Sequence, residues 1–178
     1  MATIPIRDLP SYMRRLGAAF GPAVRVGLTG AAVRSVATLA TASNRKGVRD
    51  TGRYLNGWAH SPAMSLGAAS AVVRVFNDAP YSGVIELGRR PGRKMPWLRT
   101  VPLESQPIYM WCIRQLGMTA DEAEKAAWGI AASIGRKGIK GKFVLRDVKD
   151  KLAKDGAKEV SKALDQAIRR LPPRGGGP

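Results

Sequence analysis

In the last third of the chain, Val148, Leu152, Gly156, Val160, Leu164, Ile168 and Leu171 recur mostly every fourth residue. That spacing holds one apolar face along a helix over about 146–171. Asp147, Asp150, Asp155 and Glu159 alternate with lysines at three- and four-residue steps, the pattern of a solvated opposite face. Pro172 and Pro173 stop the helix, and 174–178 reads as a flexible tail. A helix this polar on one side and apolar on the other is stable only when its apolar face is covered.

A second apolar stretch lies near the N-terminus. Residues 1–10 hold two prolines and read as an extended lead-in. Ser11 is placed to cap a short helix through Phe20, which Gly21-Pro22 is expected to stop. A new helix then runs over about 23–43, with Val24, Leu28, Ala31, Ala32, Val36 and Leu39 as its apolar stripe. Its many Ala, Gly and Ser residues favour close packing against a neighbour, in the same subunit or in the next. Arg25, Arg34 and Pro22 interrupt the stretch, so no uncharged run reaches the roughly 18 residues of a membrane span. No membrane association is expected. A signal peptide is also not expected, because no small-residue cleavage site follows the short apolar run after Arg14-Arg15.

The middle of the chain supplies the strands. A strand ending at His60 and a β-branched strand over 69–76 are predicted to pair as a long hairpin, with 61–67 as connector. A short helix over 81–87 ends at Gly88, and 89–102 is irregular because Pro91, Gly92, Pro96 and Pro102 forbid a regular element. A helix opens near Gln106 with Pro107 at its first position, and Ile108, Trp111, Cys112 and Leu116 mark its buried stripe. Thr119-Ala-Asp-Glu122 is a capping box, opening a helix that buries Ala123, Ala127, Ile130, Ala131 and Ile134 and ends at Gly135 or Gly138. These elements make an α+β fold, with a small antiparallel β-sheet packed with several α-helices and a long C-terminal helix. One domain is expected over 1–178: a helical segment 1–44, an α+β body 45–171 and the tail 172–178.

Chemistry is sparse. His60 is the one histidine and Cys112 the one cysteine, so no convergent metal-ligand set or disulfide framework exists. Cys112 falls on an apolar stripe and reads as a core residue. Asp121, Glu122 and Glu124 occupy a first helical turn, where the helix dipole accounts for them. The segment 135–143 has P-loop composition without P-loop spacing, and no Ser or Thr follows Lys142. Catalytic, cofactor and metal sites are therefore not expected.

The charge is the other strong signal. Thirty Lys and Arg against thirteen Asp and Glu give a formal +17. Such a field favours nucleic acid, an anionic membrane or acidic protein surfaces. The excess is spread along the chain, and three basic loops stand out within it: Arg45, Lys46 and Arg49; Arg89, Arg90, Arg93 and Lys94; Arg136, Lys137, Lys140 and Lys142. Phosphate contact suits such loops, yet no helix-turn-helix, zinc finger or strand of stacking aromatics accompanies them.

The order of motifs adds more than any one of them. Asp50-Thr-Gly-Arg-Tyr-Leu-Asn-Gly-Trp58 precedes the strands. Ala79-Pro-Tyr-Ser-Gly-Val-Ile-Glu-Leu-Gly88 and the arginine-proline loop to Pro96 follow, and then Ile134-Gly-Arg-Lys-Gly-Ile-Lys-Gly-Lys-Phe143 before the last helix. This series, over roughly 45–165, resembles the neck or minor tail-component family of long-tailed bacteriophages, the tail-completion proteins likened to lambda protein Z. The resemblance implies a non-enzymatic virion protein, assembled in the host cytoplasm into a homo-oligomeric, hexameric ring at the head–tail junction. Its partners would be the head-closure or connector ring and the tail terminator or tail tube, with DNA passing through the channel. By the same resemblance, Asp50 to Gly52 matches the family's turn before the sheet. Glu86 and Gly88 match its glutamate-x-glycine element, and 138–143 its late glycine-basic turn. The alternative from charge alone is a small DNA-binding protein without sequence specificity.

Overall fold

The computed structural model describes residues 9–48, 52–67, 70–96 and 101–171. Expectations for residues 1–8 of the lead-in, Arg49, Asp50, residues 97–100 of the irregular stretch and the tail 172–178 lie outside these residues; Leu9 and Pro10 of the expected lead-in are already helical, so the helix starts before Ser11. The chain divides into two compact units, each built from separated segments. One unit comprises 1–42, 57–78 and 146–178; the other comprises 43–56 and 79–145. The α+β class holds, with several helices, a long C-terminal helix, and paired strands in three two-stranded antiparallel sheets rather than in one.

In the first unit, helix α1 (Leu9–Arg45, 37 residues) runs unbroken through Pro22. This corrects the expected stop at Gly21-Pro22. An internal proline removes one backbone hydrogen bond and crowds the preceding turn, at about 3 kcal/mol. Much of the crowding falls on the Cβ of the residue before it, and Gly21 has none. Alanines on both sides favour the helix, and burial resumes at once at Ala23. The buried line is Ala23, Gly27, Ala31, Ala32 and Leu39, whereas Val24, Leu28 and Val36 are half-buried. The line of small residues lies against helix α6 (Val144–Arg170, 27 residues). A Cβ on Gly27 would sit 2.6 Å from the Val160 Cα and 3.1 Å from the Glu159 carbonyl oxygen, so the helices approach backbone to backbone. Arg34 Nε pairs with Glu159 Oε1 at 3.1 Å. Within α1, Met13–Arg45 is long and apolar enough to cross a membrane by length and composition. Of that window, 28% is buried, and Gly27, Gly30, Ala31 and Arg34 are the residues that meet α6.

The hairpin belongs to the same unit. Strand β1 (Trp58–His60) pairs antiparallel with β4 (Val75–Asn77), Ala59 opposite Phe76. Further out, β2 (Met64–Gly67) pairs with β3 (Ser70–Val72) through a bulge between Ser65 and Gly67. Two expectations are thereby corrected. Residues 64–67 of the 61–67 connector are strand, and the strand expected over 69–76 is broken at Val73-Arg74. Pro62 has no N–H to give the ladder there. Ser61 bridges the gap instead: its N–H donates to the Arg74 carbonyl and its hydroxyl accepts from the Arg74 N–H. The β2 residues are all exposed, Leu66 among them.

In the second unit, α4 (Pro107–Leu116) and α5 (Ala120–Lys137) form an antiparallel pair. Pro107 takes the first position of α4, and Gly117 closes it in the left-handed conformation, φ +64°. Thr119 and Glu122 make the expected capping box, and its hydrogen bonds hold the Glu122 carboxyl below its usual range. Tyr109, Cys112, Ala123 and Ala127 form the cluster at the centre. The stripe expected on α4 shifts accordingly. Leu116 is exposed and Tyr109 is buried, since the larger ring fills the space left by facing alanines.

Candidate functional site: an interlocked backbone knot and its arginine loop

The second unit also holds α2 (Arg53–Asn56), α3 (Ser82–Leu87), β5 (Gly88–Arg89) and β6 (Ile139–Lys140). Strands β5 and β6 are only two residues long, with Gly88 opposite Lys140 and Arg89 opposite Ile139. Neighbouring bonds extend the junction. The Lys142 N–H donates to the Ile85 carbonyl at 2.7 Å, and the Phe143 N–H to the Glu86 carbonyl at 3.2 Å. Three glycines make this approach possible. A Cβ on Gly88 would collide with the Ile139 carbonyl, one on Gly138 with the Arg89 carbonyl, and one on Gly141 would lie 2.5 Å from the Glu86 carbonyl oxygen. Gly88 (φ +77°) and Gly138 (φ +75°) also take backbone angles that disfavour any side chain.

Glu86 is the polar centre of the knot. Its Oε1 accepts a hydrogen bond from the Tyr54 hydroxyl at 2.8 Å, and both carboxylate oxygens lie 3.1 Å from the Leu145 N–H. Leu145 is in the first turn of α6, so the carboxylate supplies a cap from outside that helix. Phe143, just before the helix, has φ 51°, a costly angle for a side chain that branches to a ring. The surrounding hydrogen bonds hold it there. They also explain why α6 starts at Val144, buried at 0% exposure, rather than at Arg146 as expected. Tyr54 is only 2% exposed. Burial first, then the hydrogen bond and negative charge of Glu86, push its phenol well above the ordinary value.

The basic residues fall around this knot in different ways. Lys46 is tied in, its Nζ donating to the carbonyls of Lys142 and Phe143. Arg45 is the exposed last residue of α1, and Arg49 lies outside the described residues. Arg136 and Lys137 are exposed in the last turn of α5. Lys140 and Lys142 project from the turn that β6 forms and are exposed. The loop after β5 is anchored at both ends of its arginine run. The Gly92 N–H donates to the Gly135 carbonyl at 3.0 Å, and Met95 rests on Gly135. Inside the loop, the Arg89 Nη2 donates to the Lys94 carbonyl. Arg89, Arg90 and Arg93 line one cavity with Gly88.

Other chemistry-bearing groups are quiet. No group of three or more His, Cys, Asp or Glu side chains positioned for a metal occurs among the described residues. Cys112 is fully buried, and burial pushes its thiol up, away from the nucleophilic thiolate. His60 is half-buried, with Nδ1 donating to the Ser61 carbonyl at 3.0 Å. The Tyr54–Glu86 bond was not read from sequence. The spacing of an isolated Tyr and Glu 32 residues apart carries no pattern; the adjacent glycines at 88, 138 and 141 were the signal available. No protein-family profile, curated protein or solved structure matches the chain.

Proposed function

We propose that this chain is a structural subunit of a tailed-bacteriophage neck, a tail-completion protein that forms a ring and joins tail to head. One observation carries the reading. The three segments on which the family resemblance rests meet in a single site: Tyr54 from the first, Glu86 and Gly88 from the second, 138–143 from the third. Their fixed order in sequence is then the trace of one interlocked structure, rather than of separate loops. The exposed side chains of Met64, Leu66 and Phe76 on the hairpin support the same reading, because a neighbouring subunit would cover them in a ring. The ring is homo-oligomeric, a hexamer by the resemblance, and its partners are the head-closure ring on one side and the tail terminator or tube on the other.

Disruption of the gene in the phage that encodes it tests the proposal. Full heads and complete tails should accumulate unjoined, and the intact gene supplied in trans should restore joining. A normal yield of joined, infectious particles without the gene would overturn it. The +17 charge favours one other reading, a basic protein that binds DNA without sequence specificity. Normal joining, together with tight duplex binding that collapses as salt rises, would favour that alternative.

A further inference from the structure

We propose that the cavity lined by Gly88, Arg89, Arg90 and Arg93 is a binding site for a phosphate oxyanion. The cavity has a volume of about 340 Å³, and three of its four lining residues are arginines. No ion pair among the described residues involves any of the three, so three cationic side chains line one cavity without a paired carboxylate. Close like charges repel, and an anion between them turns that repulsion into attraction.

A second, independent feature points the same way. The Arg89 Nε is buried and has no hydrogen-bond partner. A buried donor left unpaired carries a desolvation penalty that an acceptor in the cavity removes. The Arg89 Nη2 already donates to the Lys94 carbonyl, which ties the guanidinium to its own loop. The loop is held before any ligand arrives. The β5–β6 pair anchors its start and the Gly92–Gly135 bond its far side. An anion therefore meets donors already in place and pays little ordering entropy.

Three guanidinium groups exceed what one carboxylate can use. A carboxylate offers two oxygens and one charge, whereas a phosphate offers more oxygens, and as a monoester or free ion up to two charges. The shared chemistry has two sources, the free ion and the phosphodiester backbone of DNA. The site stands independently of ring assembly.

Titration calorimetry with inorganic phosphate at constant ionic strength, with acetate as the comparison, tests the site. The full-length protein should bind phosphate saturably and prefer it to acetate. R90Q/R93Q changes two exposed side chains and leaves Arg89 in its strand. It should weaken phosphate binding by about tenfold or more while melting like the parent. K125Q/K151Q, which removes two exposed charges elsewhere, should leave binding unchanged. A short random-sequence duplex that displaces phosphate identifies DNA as the source; phosphate retained beside bound duplex identifies the free ion. Equal binding of acetate, or equal loss in K125Q/K151Q, would overturn the proposal.

Discussion

Removal of the Glu86 carboxylate should loosen the knot and the start of α6 together. Glu86→Ala deletes the acceptor for the Tyr54 hydroxyl, 2.8 Å away, and for the Leu145 N–H, 3.1 Å away. Hydrogen bonds to a charged group contribute about 1.5–3 kcal/mol each, and an anion at a helix N-terminus about 0.3–1 kcal/mol. Glu86 is half-buried, so solvent screening brings the expected loss to about 2–4 kcal/mol. The Tyr54 hydroxyl is also left buried without its acceptor. Glu86→Gln retains the shape and one acceptor oxygen, and should cost about 1–2 kcal/mol. Tyr54→Phe should cost about 1 kcal/mol, and the cycle joining it to Glu86→Ala should give a coupling of about 1–2 kcal/mol. Urea unfolding measures the parent and the four variants, and amide exchange at Leu145 reports the helix start directly. Stability of Glu86→Ala within about 0.5 kcal/mol of the parent, or unchanged exchange at Leu145, would refute the central role of the carboxylate.

Four further variants test other parts of the structure. Gly27→Ala should destabilise by about 1–2 kcal/mol in thermal melts, because its new methyl group meets the Val160 backbone. Gly17→Ala on the same helix, with nothing within 4 Å, should instead stabilise by about 0.5–1 kcal/mol. With a folded-state pKa raised above the unfolded value of about 10, Tyr54 keeps its proton in the folded state while the unfolded chain releases it. Stability from this group is full below pH of about 10 and falls above it by at most about 1.4 kcal/mol per pH unit. Tyr54→Phe should remove that part of the alkaline slope in denaturant titrations at fixed pH. Finally, R90E/R93E should fold and melt like the parent but fail to complement a gene-deleted phage; full complementation would remove the arginine loop from assembly.

Much of the local architecture was legible because single residues dictate it. Thr119 and Glu122 announce a helix start, Pro107 marks another, and Gly88 ends α3, and the chain obeys all three. Cys112 lies in the core where the stripe placed it. Where tertiary contacts outweigh local rules, sequence misled. Pro22 stops a helix in isolation, but α1 continues because the small residues beyond it pack on α6, and Gly21 brings no Cβ against the ring. Val144 joins α6 because Glu86, distant in sequence, bonds the amide that follows it. Met64–Gly67 resembles a connector by composition, and becomes a strand because Ser70–Val72 lies opposite. At the candidate site, the residue types were visible as basic loops and paired glycines. Their convergence on Glu86 depends on backbone approaches that no spacing rule encodes.

The assembly state tests the ring proposal most directly. Sedimentation equilibrium over a wide concentration range, with negative-stain electron microscopy of the same samples and of samples mixed with purified tails, would measure it. Annular particles of six copies, free or seated on the head-proximal end of tails, are predicted by the resemblance. A monomer at every concentration that leaves tails undecorated would contradict a neck-ring function.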